Sequence, residues 1–96
     1  NVFMVKNGTL MTPPTYVGAL RGITRGAILE IAKQKEIPAQ ERILTRHDLF
    51  NAHEVFLTGT AAEVIPVVKI DGRVINGGEP GKMTRSLMTA FRQRTQ

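Results

Sequence analysis

The stretch EVFLTGTAAEVIPV, residues 54–67, indicates the fold most directly, because two apolar runs flank a loop of small residues. The first run predicts a strand over residues 54–57. The second predicts a strand over residues 64–70, with Pro66 at a sheet edge or a bulge. Asp71-Gly72 then predicts a tight hairpin turn. The loop between the strands is small enough for backbone N–H and hydroxyl groups to come close to a bound molecule.

The N-terminal residues predict a hairpin followed by a loop. Residues 2–5 are apolar, and Asn7-Gly8 is the strongest short hairpin motif. Residues 9–11 return as the second strand. Pro13-Pro14 then exclude both a helix and a strand ladder, so a loop is expected as far as Gly22.

From Ile23 the spacing of apolar residues changes to that of an amphipathic helix. Four apolar residues fall on one face: Ala27, Ile28, Ile31 and Ala32. Arg25, Lys33 and Glu36 are assigned to other faces, and Pro38 ends the helix.

The remaining elements complete an α+β or α/β chain with a mixed sheet and two main helices. Residues 42–44 are a short strand candidate, and Thr45 with Asp48 has the spacing of a capping box. A terminal helix is predicted after Pro80-Gly81. Its apolar face comprises Met83, Leu87, Ala90 and Phe91.

Composition limits the classes of function. The 96 residues suffice for one small domain, and a net charge of +5 allows nucleic-acid binding. The basic residues are scattered and aromatic residues are few, so no nucleic-acid partner is expected. Without Cys, and with no third ligand beside His47 and His53, no metal site is expected. No apolar run reaches the roughly 20 residues of a membrane span, and the lack of Cys fits a cytoplasmic protein.

Two stretches are candidate anion sites. At the expected helix start, Gly22 precedes N–H groups that have no partner within the helix, and Thr24 adds a hydroxyl. In the small loop, Gly59 permits close approach, while Thr60 and Ala61 offer N–H groups. A bare helix start and a tight strand connection are the alternatives. Together the two stretches suggest one ligand with two anionic ends.

Four motifs in order resemble the C-terminal part of the class IV aminotransferases, most closely those specific for branched-chain amino acids. They cover nearly the whole chain: NVFMVKNGTLMTPP, LRGITRGAILEIA, EVFLTGTAAEVIPV with the IDG turn, and PGKMTRSLMTAFR. The resemblance implies the C-terminal part of the large domain of the D-amino-acid aminotransferase-like fold, pyridoxal-phosphate fold type IV.

The resemblance also implies a cofactor and its contacts. The cofactor is pyridoxal 5′-phosphate, held by Leu20, Gly22, Ile23, Thr24 and Thr60. The substrate carboxylate is held at Gly59, Thr60 and Ala61. The implied reaction moves an amino group between a branched-chain amino acid and 2-oxoglutarate, in a homodimer.

The family's Schiff-base Lys and the Glu that pairs with the pyridine nitrogen lie upstream of the segment that this chain resembles. Five lysines match no catalytic position: Lys6, Lys33, Lys35, Lys69 and Lys82. Since the chain also begins in mid-strand, residues 1–96 are expected to be a single partial domain that is inactive alone. Exposed apolar surface at its sheet edge would favour self-association.

Three alternatives stay open at this point. Within the family, the chain could belong to a D-amino-acid aminotransferase or an aminodeoxychorismate lyase. Outside it, the chain could be a stand-alone ligand-binding or interaction module.

Overall fold

A computed structural model describes residues 1–15, 22–59 and 63–95. The strands are β1 (Val2–Lys6), β2 (Thr9–Thr12), β3 (Ala39–Glu41), β4 (Glu54–Gly59), β5 (Glu63–Val67), β6 (Lys69–Ile70) and β7 (Arg73–Val74). The helices are α1 (Ile23–Gln34), α2 (Arg46–Phe50) and α3 (Lys82–Arg94), with a 3₁₀ turn at Asn76–Gly78. Within the described ranges, no helix is long and apolar enough to cross a membrane.

The central sheet has five strands in the order β3-β2-β1-β4-β5. It is mixed, as predicted. The strands β2 and β3, between which α1 lies in sequence, are parallel, while the other neighbouring strands are antiparallel. Asn7 and Gly8 both have positive φ, 51° and 76°, as the predicted Asn-Gly hairpin requires. Pro66 lies opposite Phe56 on the edge strand β5, where a residue without an N–H is tolerated.

The two long helices cover one face of the sheet. Phe3, Phe56 and Leu10 point from the strands into this side and are fully buried. The predicted helix faces meet them: Ile28, Ile31 and Ala32 from α1, and Leu87 and Phe91 from α3. The 3.6-residue spacing therefore identified both buried faces correctly.

The short helix α2 and the β6–β7 hairpin lie on the opposite side of the sheet. Met4, Val55 and Ile75 form a second buried cluster there. The Arg46 guanidinium pairs with the Asp71 carboxylate and so ties α2 to the hairpin.

The strand predicted over residues 42–44 is wrong, because β3 comes earlier, at Ala39–Glu41. The Leu10 N–H donates to the Pro38 carbonyl (2.9 Å), so pairing with β2 begins as soon as α1 and its turn end. The Arg42 N–H donates to the Thr12 carbonyl (3.0 Å) at the end of β2. Beyond that bond β2 offers no partner, and Ile43 is exposed.

The assignment of Arg25 to a face other than the apolar one is also wrong, because its side chain is buried. Residues 25, 28 and 32 share one face of a helix, and Ile28 and Ala32 are both in the core. Arg25 is accepted there because its guanidinium has two oxygen partners, the Pro13 carbonyl and the Glu41 carboxylate.

Thr45 and Asp48 form the predicted capping box at the start of α2. The Asp48 N–H donates to Thr45 Oγ1 (3.1 Å), and the Thr45 N–H donates to the Asp48 carboxylate (2.9 Å). The bond from the Thr45 N–H is the main reason why the pKa of Asp48 lies below its ordinary value of 3.8.

Replacing Asp48 with Asn should therefore destabilise the chain at neutral pH but not in strong acid. A lowered folded-state pKa contributes stability above the ordinary value, and this contribution disappears as pH falls through the folded-state pKa. Urea unfolding of wild type and Asp48→Asn at pH 7 and at the lowest pH where both fold would measure the two differences. A difference that grows on acidification would contradict the role of the carboxylate.

Glu54 caps α3 from a neighbouring strand. Its carboxylate accepts from the N–H groups of Met83 (3.2 Å) and Thr84 (2.7 Å) and from the Thr84 hydroxyl (2.6 Å). A Cβ at Gly81 would overlap this carboxylate, so the approach requires glycine at that position.

Replacing Glu54 with Ala should lower the free energy of unfolding by about 3 kcal/mol, because it leaves the buried Thr84 N–H and hydroxyl unpaired. The control is Glu79→Ala, which removes an exposed carboxylate 3.6 Å from Arg85 near the same helix start. That control should cost less than about 0.5 kcal/mol. Equal losses in denaturant unfolding would refute the capping role.

Candidate functional site

The first part of the candidate site is the start of α1. Gly22 precedes the helix in an extended conformation, and no side chain caps the helix from that position. The first turn carries no acidic residue, so nothing in it competes with an external anion for the helix dipole. Ile23 is 93% exposed, which is unusual for an isoleucine at a helix start and leaves an apolar surface beside the N–H groups.

Thr24 joins this helix start to the second predicted loop. Its hydroxyl donates to the Gly59 carbonyl (3.3 Å), although the two residues are 35 positions apart in sequence. Thr24 is buried, and Gly59 is the last residue of β4. The start of α1 and Gly59, which belong to the two separately predicted anion sites, are therefore adjacent at one end of the sheet.

Gly59 adjoins open space. A Cβ built at this position would meet no atom of the described residues within 4 Å, and Gly59 is not among the residues with positive φ. Neither the backbone conformation nor packing against the described part of the chain therefore requires glycine here. Its small size leaves room for something outside the described residues.

The end of β4 is held in place by Asn1, the residue that precedes β1. The Thr58 N–H donates to the Asn1 carbonyl (2.8 Å), and a Cβ on Gly22 would lie 2.8 Å from Asn1 Nδ2. The helix start, the strand end and Asn1 thus pack around one point. This role of Asn1 could not be predicted, because local sequence patterns do not determine the order of strands in a sheet.

Of the predicted site residues, the structure brings together Gly22, Ile23, Thr24 and Gly59. Leu20, Thr60 and Ala61 lie outside the described residues. Arg25 directly follows Thr24 and adjoins the site, although it was not predicted as a site residue. Its spacing to Ile28 and Ala32 was the available indication that it is buried.

The family comparison assigns the chain to one class of enzyme. The model of the family described as amino-transferase class IV matches residues 1–70, and the chain belongs to this family. The fold is that of its branched-chain members: the Escherichia coli branched-chain amino acid aminotransferase superposes with a TM-score of 0.93 at 45% identity. The match covers 97% of this chain and 31% of that one.

The individual relatives are named for two activities of this family. The branched-chain-amino-acid aminotransferase of Escherichia coli K12 is 46% identical over 95% of this chain. A Methanocaldococcus jannaschii protein named for the same activity is 51% identical over 96%. The D-alanine aminotransferase of Bacillus licheniformis is 41% identical over 95%. This chain spans only 29%, 32% and 32% of these relatives, respectively.

One solved relative is described with its cofactor. The branched-chain amino acid aminotransferase of Thermobaculum terrenum in its PLP form, the holo form, superposes with a TM-score of 0.90 at 36% identity. The match covers 97% of this chain and 31% of that structure.

Proposed function

We propose that this chain forms the phosphate-binding part of a pyridoxal-phosphate-dependent branched-chain-amino-acid aminotransferase. The contact between the Thr24 hydroxyl and the Gly59 carbonyl is the observation that supports it most, because it joins both candidate anion sites. In this proposal residues 1–96 are a single partial domain, and catalysis needs groups that the chain does not supply.

The residues present fit a phosphorylated cofactor. An uncapped helix start with no acidic residue in its first turn suits a phosphate dianion. The exposed Ile23 side chain offers an apolar contact to an aromatic ring beside that phosphate. In this proposal Gly22, Ile23 and Thr24 hold the phosphate, with Leu20 against the ring and Thr60 as a further donor.

When bound, pyridoxal phosphate supplies an electron sink for chemistry at the carbon that carries the amino group. The residues of this chain bind and orient. The N–H groups at the start of α1 fix one end of the cofactor, and Gly59, Thr60 and Ala61 hold the substrate carboxylate. Hydrogen bonds from backbone N–H groups to anions are stronger than those to neutral acceptors. In this proposal such bonds hold both the phosphate of the cofactor and the carboxylate of the substrate.

The proposed substrates are a branched-chain L-amino acid and a 2-oxo acid, 2-oxoglutarate in the first instance. The support is the naming of the relatives with 46% and 51% identity. A D-amino-acid aminotransferase is the second candidate, and the 41% identity to a D-alanine aminotransferase is the observation in its favour. A homodimer in the cytoplasm completes the proposal.

The test is an aminotransfer assay on the complete gene product that carries this sequence, supplied with pyridoxal phosphate. With 2-oxoglutarate as acceptor, we expect L-leucine, L-isoleucine and L-valine to be used and D-alanine to be a poor substrate. A preference for D-alanine would replace the first candidate by the second. A folded protein that binds no cofactor would refute both.

A further inference from the structure

The family assignment does not explain the surroundings of Arg25. It is the third residue of α1, and only 6% of its surface is exposed. Its guanidinium nitrogen Nη2 donates to the Pro13 carbonyl (3.0 Å) and to a Glu41 carboxylate oxygen (2.6 Å). Among the residues that the structure describes, its buried Nε has no hydrogen-bond partner.

These two contacts link three parts of the chain at one point. Pro13 directly follows β2, Arg25 lies in the first turn of α1, and Glu41 is the last residue of β3. The bond to Pro13 therefore joins the start of the β2–α1 connection to its end. Gly22 and the predicted ring contact Leu20 both belong to the segment that this bond closes.

A buried arginine whose guanidinium is only partly paired by the described residues contributes little to the stability of a helix. Burying the charge is costly, and a close ion pair recovers that cost only with good geometry and full pairing. Glu41 is half exposed, which weakens its attraction further. The planar guanidinium does, however, fix direction as well as distance, which an ammonium group cannot do.

We infer that Arg25 is a positioning residue for the proposed phosphate site. By holding the Pro13 carbonyl and the Glu41 carboxylate, it sets the direction of the first N–H groups of α1. The inference rests on the proposed function, since it concerns the same site. It assigns to Arg25 no contact with the phosphate itself.

The test measures the dissociation constant of pyridoxamine 5′-phosphate with the complete gene product, by titration calorimetry, alongside urea unfolding. For Arg25→Met we expect binding of pyridoxamine 5′-phosphate to be about tenfold weaker or more. The N–H groups at the start of α1 would no longer point directly at the phosphate, and hydrogen bonds weaken when their angle is poor. Arg25→Lys should recover much of the stability but not the affinity. Glu41→Gln should also weaken binding, and it should add little to Arg25→Met because both act through one arrangement.

The ion pair between Glu30 of α1 and Arg94 of α3, at 2.8 Å, provides a matched control. Glu30 lies in the C-terminal half of α1, away from the helix start. Arg94→Met and Glu30→Gln remove the same two chemical groups and should leave the dissociation constant unchanged.

The outcomes separate this inference from the proposed function. Wild-type affinity in Arg25→Lys and in Glu41→Gln would overturn the inference while leaving the function intact, even if Arg25→Met fails to fold. Weak binding in Arg25→Met with unchanged or tighter binding in Glu41→Gln would also overturn it, because Arg25 would then act on the phosphate directly. A folded wild type that does not bind would refute the proposed function, and this inference with it.

Discussion

Replacing Gly59 with Leu should weaken the binding of pyridoxamine 5′-phosphate by about 100-fold while changing the free energy of unfolding by less than about 1 kcal/mol. Among the residues that the structure describes, none has an atom within 4 Å of the new Cβ. Because the Gly59 carbonyl accepts from the Thr24 hydroxyl, the larger side chain would lie close to the proposed phosphate site. Loss of two charge-assisted hydrogen bonds of about 1.5 kcal/mol each accounts for a change of this size. Calorimetric titration and urea unfolding on the same samples would measure both quantities.

Gly59→Ala and Gly26→Ala provide the matched pair for this experiment. Gly26 is exposed in α1, and a Cβ there also meets no atom within 4 Å in the part of the chain that the structure describes. Each alanine should raise stability by about 0.5 kcal/mol, because glycine is entropically unfavourable inside a helix or strand. Only Gly59→Ala should weaken binding. Equal affinities in all these variants would show that the space beside Gly59 is not where the ligand lies.

Replacing Phe56 with Ala should lower the free energy of unfolding by about 3 to 5 kcal/mol. Phe56 is fully buried and stacks on Phe3, with ring centroids 4.9 Å apart and an interplanar angle of 6°. The substitution removes the contact between β1 and β4 on the side where both long helices pack. Small domains commonly have only about 5 to 15 kcal/mol in total, so much of the stability would be lost.

Phe50→Ala is the control for this second prediction. Phe50 lies in α2, is only partly buried, and contacts the guanidinium groups of Arg46 and Arg73. Loss of such exposed cation–π contacts should cost about 1 kcal/mol. Denaturant unfolding would measure both variants, and a loss at Phe50 equal to that at Phe56 would contradict the location of the core.

The sequence predicted most of the local structure because the relevant interactions span only a few residues. Asn7-Gly8 and Asp71-Gly72 need positive φ at both positions, and the structure has it at all four. The capping box at Thr45 lies within four residues. The buried faces of α1 and α3 follow from periodicity alone.

What the sequence could not predict depends on contacts between distant residues. The strand at Ala39–Glu41 is exposed, and it exists because it pairs with β2, which precedes α1 in the chain. The spacing of Arg25 indicates its buried face, but its partners Pro13 and Glu41 lie 12 and 16 residues away in sequence and could not be predicted. The contact between Thr24 and Gly59 could likewise not be predicted, although both residues belong to predicted anion sites.

The most direct test of the proposed cofactor site is an amide NMR titration of this 96-residue chain with pyridoxamine 5′-phosphate. The amine form cannot form imines with surface lysines, so chemical-shift changes would report the site itself. We expect saturable changes at Ile23, Thr24 and Gly59, with none at Gly26 or Phe50. Saturable changes confined to another part of a folded chain would contradict the proposed site.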